Sequence, residues 1–313
     1  MLELSSEAGS QDTMSHRQFS PTEVDETLVR ALVHDQYPRL ANATIRFAGA
    51  GWDNSLFRVG DDFVTRLPRH AAAAELIANE QRWLPSLAAR LPLPVPAPVF
   101  CGRPGCGFPW PWTLASWLPG ESAAAARAFD AGVVATDLAA FLVALHQPAP
   151  ADAPRNPYRG IPLSERTDLV RSSVRGLPDP ALKADVGAEW DRILQVPPWA
   201  GPPLWIHGDL HPRNLLVHTG RLSAVVDWGD LTAGDPATDL AVAWMLLPAA
   251  ARSTLRAALA GTVQSEDATW RRARGWALAL GLAFQTNTRG DETIAGIGRA
   301  TLRAVLDDRE SAG

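Results

Sequence analysis

Trp205-Ile206-His207-Gly208-Asp209-Leu210-His211-Pro212-Arg213-Asn214-Leu215-Leu216-Val217 is the densest polar cluster in an otherwise apolar part of the chain. Apolar runs on both sides of it read as a buried hairpin interrupted by a loop. Thirteen residues beyond Asn214 comes a second run, Val225-Val226-Asp227-Trp228-Gly229. Taken singly, Asp209 and Asn214 are ordinary turn residues and Asp227 an ordinary strand end. The ordered set favours chemistry. A carboxylate in a loop can accept a hydroxyl proton, and an amide oxygen with a second carboxylate can hold hard Mg²⁺ ions against phosphate oxygens. A loop Asp, an Asn five residues on and an Asp ending the returning strand is the order in which kinases use these groups.

Working outward, Gly234-Asp235-Pro236-Ala237-Thr238-Asp239-Leu240 has a local logic of its own. Asp235 reads as an N-cap with Pro236 at the first helical position. Asp239 then falls in the first turns of a helix over 236–247, on the face of Ala243. Helical patterns continue over 250–262, 267–287 and 292–307, and precede the cluster over 130–146, 164–174 and 180–195.

Upstream of Pro119-Gly120 the texture is different. Ser20-Pro21-Thr22-Glu23 signals a helix start, followed by an apolar stripe at Val24, Leu28, Leu32 and Val33. Thr44–Ala48, Ser55–Val59 and Phe63–Leu67 read as an antiparallel meander, separated by Gly49-Ala50-Gly51-Trp52-Asp53-Asn54 and Gly60-Asp61-Asp62. Ala71–Arg90 reads as a helix. The alternate prolines of 91–98 force extended chain, and Val99–Gly102 and Trp112–Leu118 are two further strands. A small strand-rich region followed by a large helical one sets the boundary near 118–120. The expected organisation is a flexible tail over 1–19 (with Met14 as an alternative start), an N-terminal domain over 20–118 and a C-terminal domain over 119–313.

The motifs His207–Asn214, Val226–Gly229 and Gly234–Leu240 resemble those of the aminoglycoside phosphotransferases and their relatives, and the resemblance spans residues 22–305. It implies an α+β, protein-kinase-like bilobal fold, with a small antiparallel-sheet lobe before a larger helical one. It further implies an enzyme that moves the γ-phosphate of ATP or GTP to a hydroxyl of a small molecule. On this resemblance Asp209 is the catalytic base, and Asn214 and Asp227 are the Mg²⁺ ligands. The strand-rich lobe would hold the nucleotide. Backbone N–H groups and small side chains around Gly49, Gly51, Asn54 and Ser55 can approach phosphates, and backbone near Ser116–Leu118 would take the adenine. Where the family usually carries lysine on its third strand this chain has Arg66, in Phe63-Val64-Thr65-Arg66-Leu67-Pro68. Strand alternation points Arg66 inward, and its fork can clamp α/β-phosphates. Glu80 on the following helix is the expected ion-pair partner, with Glu75 as the alternative.

Composition bounds the rest. The chain has 313 residues and a net charge of −5, and its 29 basic side chains comprise 28 arginines and one lysine, Lys183. At 46% apolar residues it can bury a core, which excludes wholesale disorder. An acidic balance speaks against nucleic acid or anionic membranes as partners. No segment reaches the roughly 18 apolar residues of a membrane span, and Met1–Ser20 has no signal-like apolar stretch, so a cytoplasmic location is expected. Cys101 and Cys106 flank a Gly/Pro turn and read as two reduced thiols, although they can also meet across a hairpin.

Three other readings stay open. His207-x₃-His211 with a nearby Asp fits a zinc hydrolase, against which Gly208 and Pro212 disfavour the helix such pairs ride on, and no third ligand spacing presents itself. In its place His207 is expected to brace the loop by a backbone hydrogen bond. The arginine-for-lysine departure also fits a non-catalytic nucleotide-binding relative. The acceptor is most readily an aminoglycoside-type antibiotic, with macrolides, sugars, amino alcohols and homoserine as alternatives. The 12 tryptophans offer faces that stack on acceptor rings. The oligomeric state leaves no signature.

Overall fold

The computed structural model describes residues 24–286 and 290–310. The chain divides into two compact units. One ends at Pro85 and resumes over Pro96–Trp117, and the other comprises Ser86–Val95 and the chain from Leu118 onward. Residues 86–95 count with the second unit in spite of their place in the sequence, and there the carbonyl of Pro94 accepts the N–H of Val225 at 3.0 Å.

In the first unit, helix α1 (Glu26–Gln36) is capped by Asp25, whose carboxylate accepts the N–H of Leu28 at 2.8 Å. The cap expected at Ser20-Pro21-Thr22-Glu23 lies outside the described residues. Five strands follow: β1 (Ile45–Ala50), β2 (Asn54–Val59), β3 (Phe63–Pro68), β4 (Pro98–Gly102) and β5 (Trp112–Ser116). They form one sheet in the order β1-β2-β3-β5-β4, every neighbour antiparallel. Helix α2 (Ala71–Ala88) leaves β3 and carries Pro85 within it. Val29, Leu32 and Val33 of α1 pack against Phe57, Leu67, Trp112 and Leu114 of the sheet, and this is the unit's core. At about 25 cal/mol per Å², burial of such side chains is the main source of its stability. Cys101 and Cys106 are separate, exposed thiols.

The second unit is mainly helical. Its helices are α3 (Ala131–Leu145), α4 (Thr167–Gly176), α5 (Pro180–Ile193), α6 (Ala237–Leu240), α7 (Val242–Leu246), α8 (Ala249–Ala258), α9 (Asp267–Thr286) and α10 (Glu292–Glu310). The helix expected over 236–247 is broken at Ala241 into α6 and α7. That expected over 250–262 stops at Ala258, beyond which a 3₁₀ turn, Val263–Ser265, leads into α9.

Five short strands carry the chemistry-bearing loops: β6 (Glu121–Ser122), β7 (Leu204–Ile206), β8 (Leu215–His218), β9 (Arg221–Val225) and β10 (Thr232–Gly234). The sequence reading of one interrupted hairpin is corrected here. β7 pairs with β10, whereas β8 pairs with β9 and with β6. Two ladders therefore hold the polar loop, one at each end. Apolarity alone could not separate them, because the strands are too short to show a period.

Glycine permits a close approach in this region, between Gly160 and Gly234. Gly160 has φ +68°, and a Cβ on Gly234 would lie 2.3 Å from the carbonyl oxygen of Gly160. Gly187, inside α5, faces open space. Gly234→Ala should therefore cost roughly 1–3 kcal/mol by forcing backbone apart, while Gly187→Ala should stabilise by roughly 0.5–1 kcal/mol through helix propensity. Urea unfolding of the two variants checks both signs.

Candidate active site

The loop between β7 and β8 is fixed first through its backbone. The N–H groups of His207 and Gly208 donate to the two carboxylate oxygens of Asp239, at 2.8 and 2.9 Å. Asp239 is fully buried. Its Oδ2 is also 3.1 Å from His146 Nε2, and His146 Nδ1 is 3.2 Å from the Gln264 amide. Gly208 has φ +86°, and a Cβ there would lie 2.4 Å from the Asp230 carbonyl, so only glycine fits. His207 braces the loop from within, as its position in the motif led one to expect. Its Nδ1 accepts the Asp209 N–H at 3.3 Å, which leaves Nε2–H to donate to the Val226 carbonyl at 3.0 Å. With both ring nitrogens committed to backbone, His207 has no lone pair for zinc, and among the described residues no group of three His, Cys, Asp or Glu side chains is placed to hold a metal.

Asn214 closes the loop. Its N–H bonds the His211 carbonyl, its own carbonyl takes the Val226 N–H, and its Nδ2 donates to the Asp209 carbonyl, all at 2.9 Å. Oδ1 remains as the amide's acceptor. Asp227 follows directly, at φ +62°, a left-handed conformation that aspartate tolerates. Its carboxylate is exposed. Behind it Trp228 is buried, stacks near His207 at 4.8 Å and donates to the Val225 carbonyl at 3.1 Å.

The Asp209 carboxylate has two cationic or proton-bearing neighbours. Arg159 Nη2 lies 3.1 Å from Oδ1 and His211 Nε2 lies 3.3 Å from Oδ2. His211 Nδ1 accepts the Arg213 N–H at 3.3 Å, and Asn214 Nδ2 lies 3.2 Å from the same Nε2 that faces Asp209. Burial pushes the Asp209 carboxyl up, but His211, then Arg159 and His207, outweigh it and hold the group well below the usual carboxylate range. Asp209 is thus kept as an anion. Asp230 moves the other way: burial raises it, as do the charges of Asp209 and Asp227, against the lowering effect of Arg159 and Asn156.

The rest of the local frame is also ionic. Asp235 caps α6 through the Ala237 N–H at 3.0 Å and receives Arg272 in a two-point pair, Nε to Oδ2 at 2.7 Å and Nη2 to Oδ1 at 3.3 Å. Asp291 caps α10 through the N–H groups of Thr293 and Ile294 and pairs with Arg213 of the catalytic loop.

In the first unit, Arg66 on β3 is 5% exposed and is bonded to Glu80 of α2, which is 1% exposed. Glu75 is exposed, so of the two carboxylates considered Glu80 is the one that meets Arg66. Arg66 lies opposite Leu56 of β2 and Thr113 of β5, in the middle of the sheet. Strand β1 extends through the glycine-rich stretch to Ala50, with a bulge between Phe47 and Gly49, which has φ +146°. A Cβ on Gly49 or Gly51 would meet nothing within 4 Å. Asn54 and Ser55 are strand residues with buried side chains, and Asn54 Oδ1 and Ser55 Oγ have no hydrogen-bond partner among the described residues. Ser116 ends β5, exposed, and the chain passes into the second unit between Trp117 and Leu118.

Sequence reasoning did not single out Arg159, Asn156 or Asp230. Arg159 is 50 residues from Asp209 and sits in a stretch without regular structure, where no periodicity aims a side chain. Asp230 was within reach as a third charge after Asp227, but its orientation depends on the β7–β10 pairing.

A loop carboxylate, an Asn five residues on and an Asp at the end of the returning strand are groups that kinase-type phosphotransferases carry in this order. The chain belongs to the phosphotransferase enzyme family (APH), whose profile matches residues 44–276. Among solved structures, the GDP and kanamycin complex of APH(2")-IIIa is similar with a TM-score of 0.70 and 20% identity, over 90% of this chain and 98% of that one. The macrolide 2'-phosphotransferase MphH of Brachybacterium faecium is similar with a TM-score of 0.60 and 23% identity, over 90% and 98%. ADP-bound aminoglycoside phosphotransferase APH(2'')-Ib follows with a TM-score of 0.57 and 16% identity, over 90% and 99%. No curated protein matches the chain significantly. These likenesses establish the mixed α+β, kinase-like fold.

Two outcomes test the frame. Asp239→Ala strips acceptors from two buried N–H groups and should cost about 3 kcal/mol or more in urea unfolding at neutral pH. For Asp291, burial raises the carboxyl, but the Ile294 bond, Arg213 and the Thr293 bond hold it below its ordinary range. Its contribution to stability is therefore present above the unfolded carboxylate pKa and is lost as pH falls through the lower folded value. The melting temperature of Asp291→Asn should accordingly converge on that of wild type in acid and fall below it at neutral pH.

Proposed function

We propose that this chain transfers the γ-phosphoryl group of ATP or GTP to a hydroxyl of a small molecule, an aminoglycoside-type antibiotic being the acceptor class favoured. The observation that carries the reading is the Asp209 carboxylate, held as an anion between Arg159 and His211 in a loop braced by Asp239. Asp209 orients the acceptor hydroxyl and takes its proton as that oxygen attacks the γ-phosphorus. The bond to the β–γ bridging oxygen breaks, and the nucleoside diphosphate leaves. Positioning and electrostatics supply most of the rate.

Asn214 Oδ1 and the exposed Asp227 carboxylate are the donors assigned to Mg²⁺. Two hard oxygens fit an ion that keeps water and phosphate oxygens as its remaining ligands. When bound, the ion would neutralise charge on the phosphate oxygens. Arg66, oriented by Glu80, would steady the non-transferred phosphates. The open backbone at Gly49 and Gly51, with Asn54 and Ser55 behind it, would receive them, and backbone near Ser116 and Leu118 would take the base. The expected location is the cytoplasm, and the expected biological effect is antibiotic resistance.

A macrolide or other weakly charged acceptor is the second reading. It is favoured by Arg159, which places a cation 3.1 Å from the catalytic carboxylate, where an aminoglycoside would bring ammonium groups. The two readings separate by salt, since only a polycationic acceptor should bind less tightly as ionic strength rises.

A coupled assay of ADP or GDP release over a panel of acceptors tests the proposal. Turnover should need both acceptor and Mg²⁺, and Asp209→Asn should lower kcat by about 10²–10⁴. An Asp209→Asn enzyme as fast as wild type would remove the mechanism. Nucleotide-dependent thermal stabilisation with no turnover on any acceptor would indicate a binding relative instead.

A further inference from the structure

We infer that Arg159 is a positioning residue for the catalytic base: anchored by Asp230, it fixes the rotamer of Asp209 so that the carboxylate faces the acceptor hydroxyl. The inference rests on the phosphotransferase reading above.

The geometry has three parts. Arg159 Nη2 is 3.1 Å from Asp209 Oδ1 and 3.6 Å from Asp230 Oδ2, so one guanidinium stands between two carboxylates. Its side chain is 16% exposed, and those of Asp209 and Asp230 are 23% and 31% exposed, so solvent only partly screens the pair. The segment carrying Arg159 is itself pinned. Asn156 Nδ2 donates to Asp230 Oδ1 at 2.6 Å, and the Asn156 N–H donates to Thr232 Oγ1 at 3.0 Å. Gly160 N–H donates to Thr238 Oγ1 at 3.2 Å, while the Gly160 carbonyl accepts the Asp235 N–H at 3.0 Å. The arginine is therefore held from both sides along the chain.

Such an arrangement does something that His211 alone cannot. Rotation of Asp209 about χ1 or χ2 would leave His211 Nε2 with Asn214 Nδ2 still 3.2 Å away, but it would strip Arg159 of its nearest acceptor. Asp230 keeps the guanidinium from following. Two like carboxylates held about one cation can only stay where each keeps its share of it. The acceptor hydroxyl then meets a base already oriented, and no reorganisation is needed at the moment of transfer.

The test compares wild type, Arg159→Met, Arg159→Lys and Asp230→Asn as full-length proteins. Kinetics are read on the best acceptor of the panel. Arg159→Met should lose roughly 10- to 100-fold in kcat, the scale expected for a misplaced catalytic group. Its KM for nucleotide and its nucleotide-induced shift in melting temperature should stay within about twofold of wild type on the same grounds. Arg159→Lys, which keeps the charge without the fork, should recover part of the loss. A wild-type kcat in Arg159→Met, or a loss confined to nucleotide KM, overturns the inference. Should Arg159→Met fail to fold, Asp230→Asn keeps the arginine and an acceptor for Asn156 but removes the negative charge that anchors the guanidinium. A fall in its kcat supports the role, and an unchanged kcat overturns it. A crystal structure of Arg159→Met, or of Asp230→Asn in that event, gives a readout independent of turnover. Asp209 in a second rotamer supports the role, and the wild-type rotamer alone overturns it. An inactive wild type with Asp209 displaced in the variant would overturn the phosphotransferase reading while leaving the positioning role standing.

Discussion

Two consecutive backbone N–H groups, those of His207 and Gly208, point into one buried carboxylate, Asp239. The shape of the loop follows from that. Consecutive N–H groups converge on one acceptor only if the chain turns sharply, and the turn is available because Gly208 takes φ +86° against the Asp230 carbonyl. A carboxylate this deeply buried is costly unless its lone pairs are filled. Here His146, itself bonded to Gln264, supplies the third donor. Asp209 and Asn214, two and seven positions on from His207, inherit their directions from this one anchor.

The anchor and the proposed base are both aspartates in the same unit, and their surroundings differ. Asp239 sees two backbone dipoles and a histidine in an apolar interior, and has no access to solvent. Asp209 keeps part of its surface open and is balanced by side chains that also touch other groups, Arg159 with Asp230 and His211 with the Arg213 N–H. A carboxylate that must accept a proton needs open surface. One that must hold a loop needs none.

Much of this was legible in the sequence wherever a local rule was enough. Strand alternation turned Arg66 inward, whereas the choice between Glu80 and Glu75 stayed open in the sequence and is decided by burial of the first and exposure of the second. Asp235 followed from capping chemistry, and His207 as a brace followed once Gly208 and Pro212 disfavoured the helix of a zinc pair. What could not be read was pairing between distant segments. Nothing in Leu204–Ile206 says that its partner is Thr232–Gly234 rather than Leu215–Val217, since all three are short and buried. Arg159 was lost for the same reason. Its direction is set by bonds from Asn156 and Gly160 to residues more than 70 positions later, and no propensity encodes those. The helix over 236–247 failed differently. Its residues favour helix throughout, but packing interrupts it at Ala241.

The lone lysine, Lys183, lies on α5, and the buried cationic positions of both units fall to arginine: Arg66 with Glu80, Arg159 with Asp209 and Asp230, and Arg272 with Asp235. A guanidinium suits these places because it is more weakly hydrated than an ammonium and so loses less on burial. It also presents its donors in a plane, so that Arg272 can meet both oxygens of Asp235 at once. A lysine could carry the same charge but would meet each carboxylate at a single point and swivel about it. Arg66 therefore need not be read as a lysine gone wrong. Among the described residues the buried Arg66 follows the same rule, held by Glu80 as Arg159 is by Asp209 and Asp230.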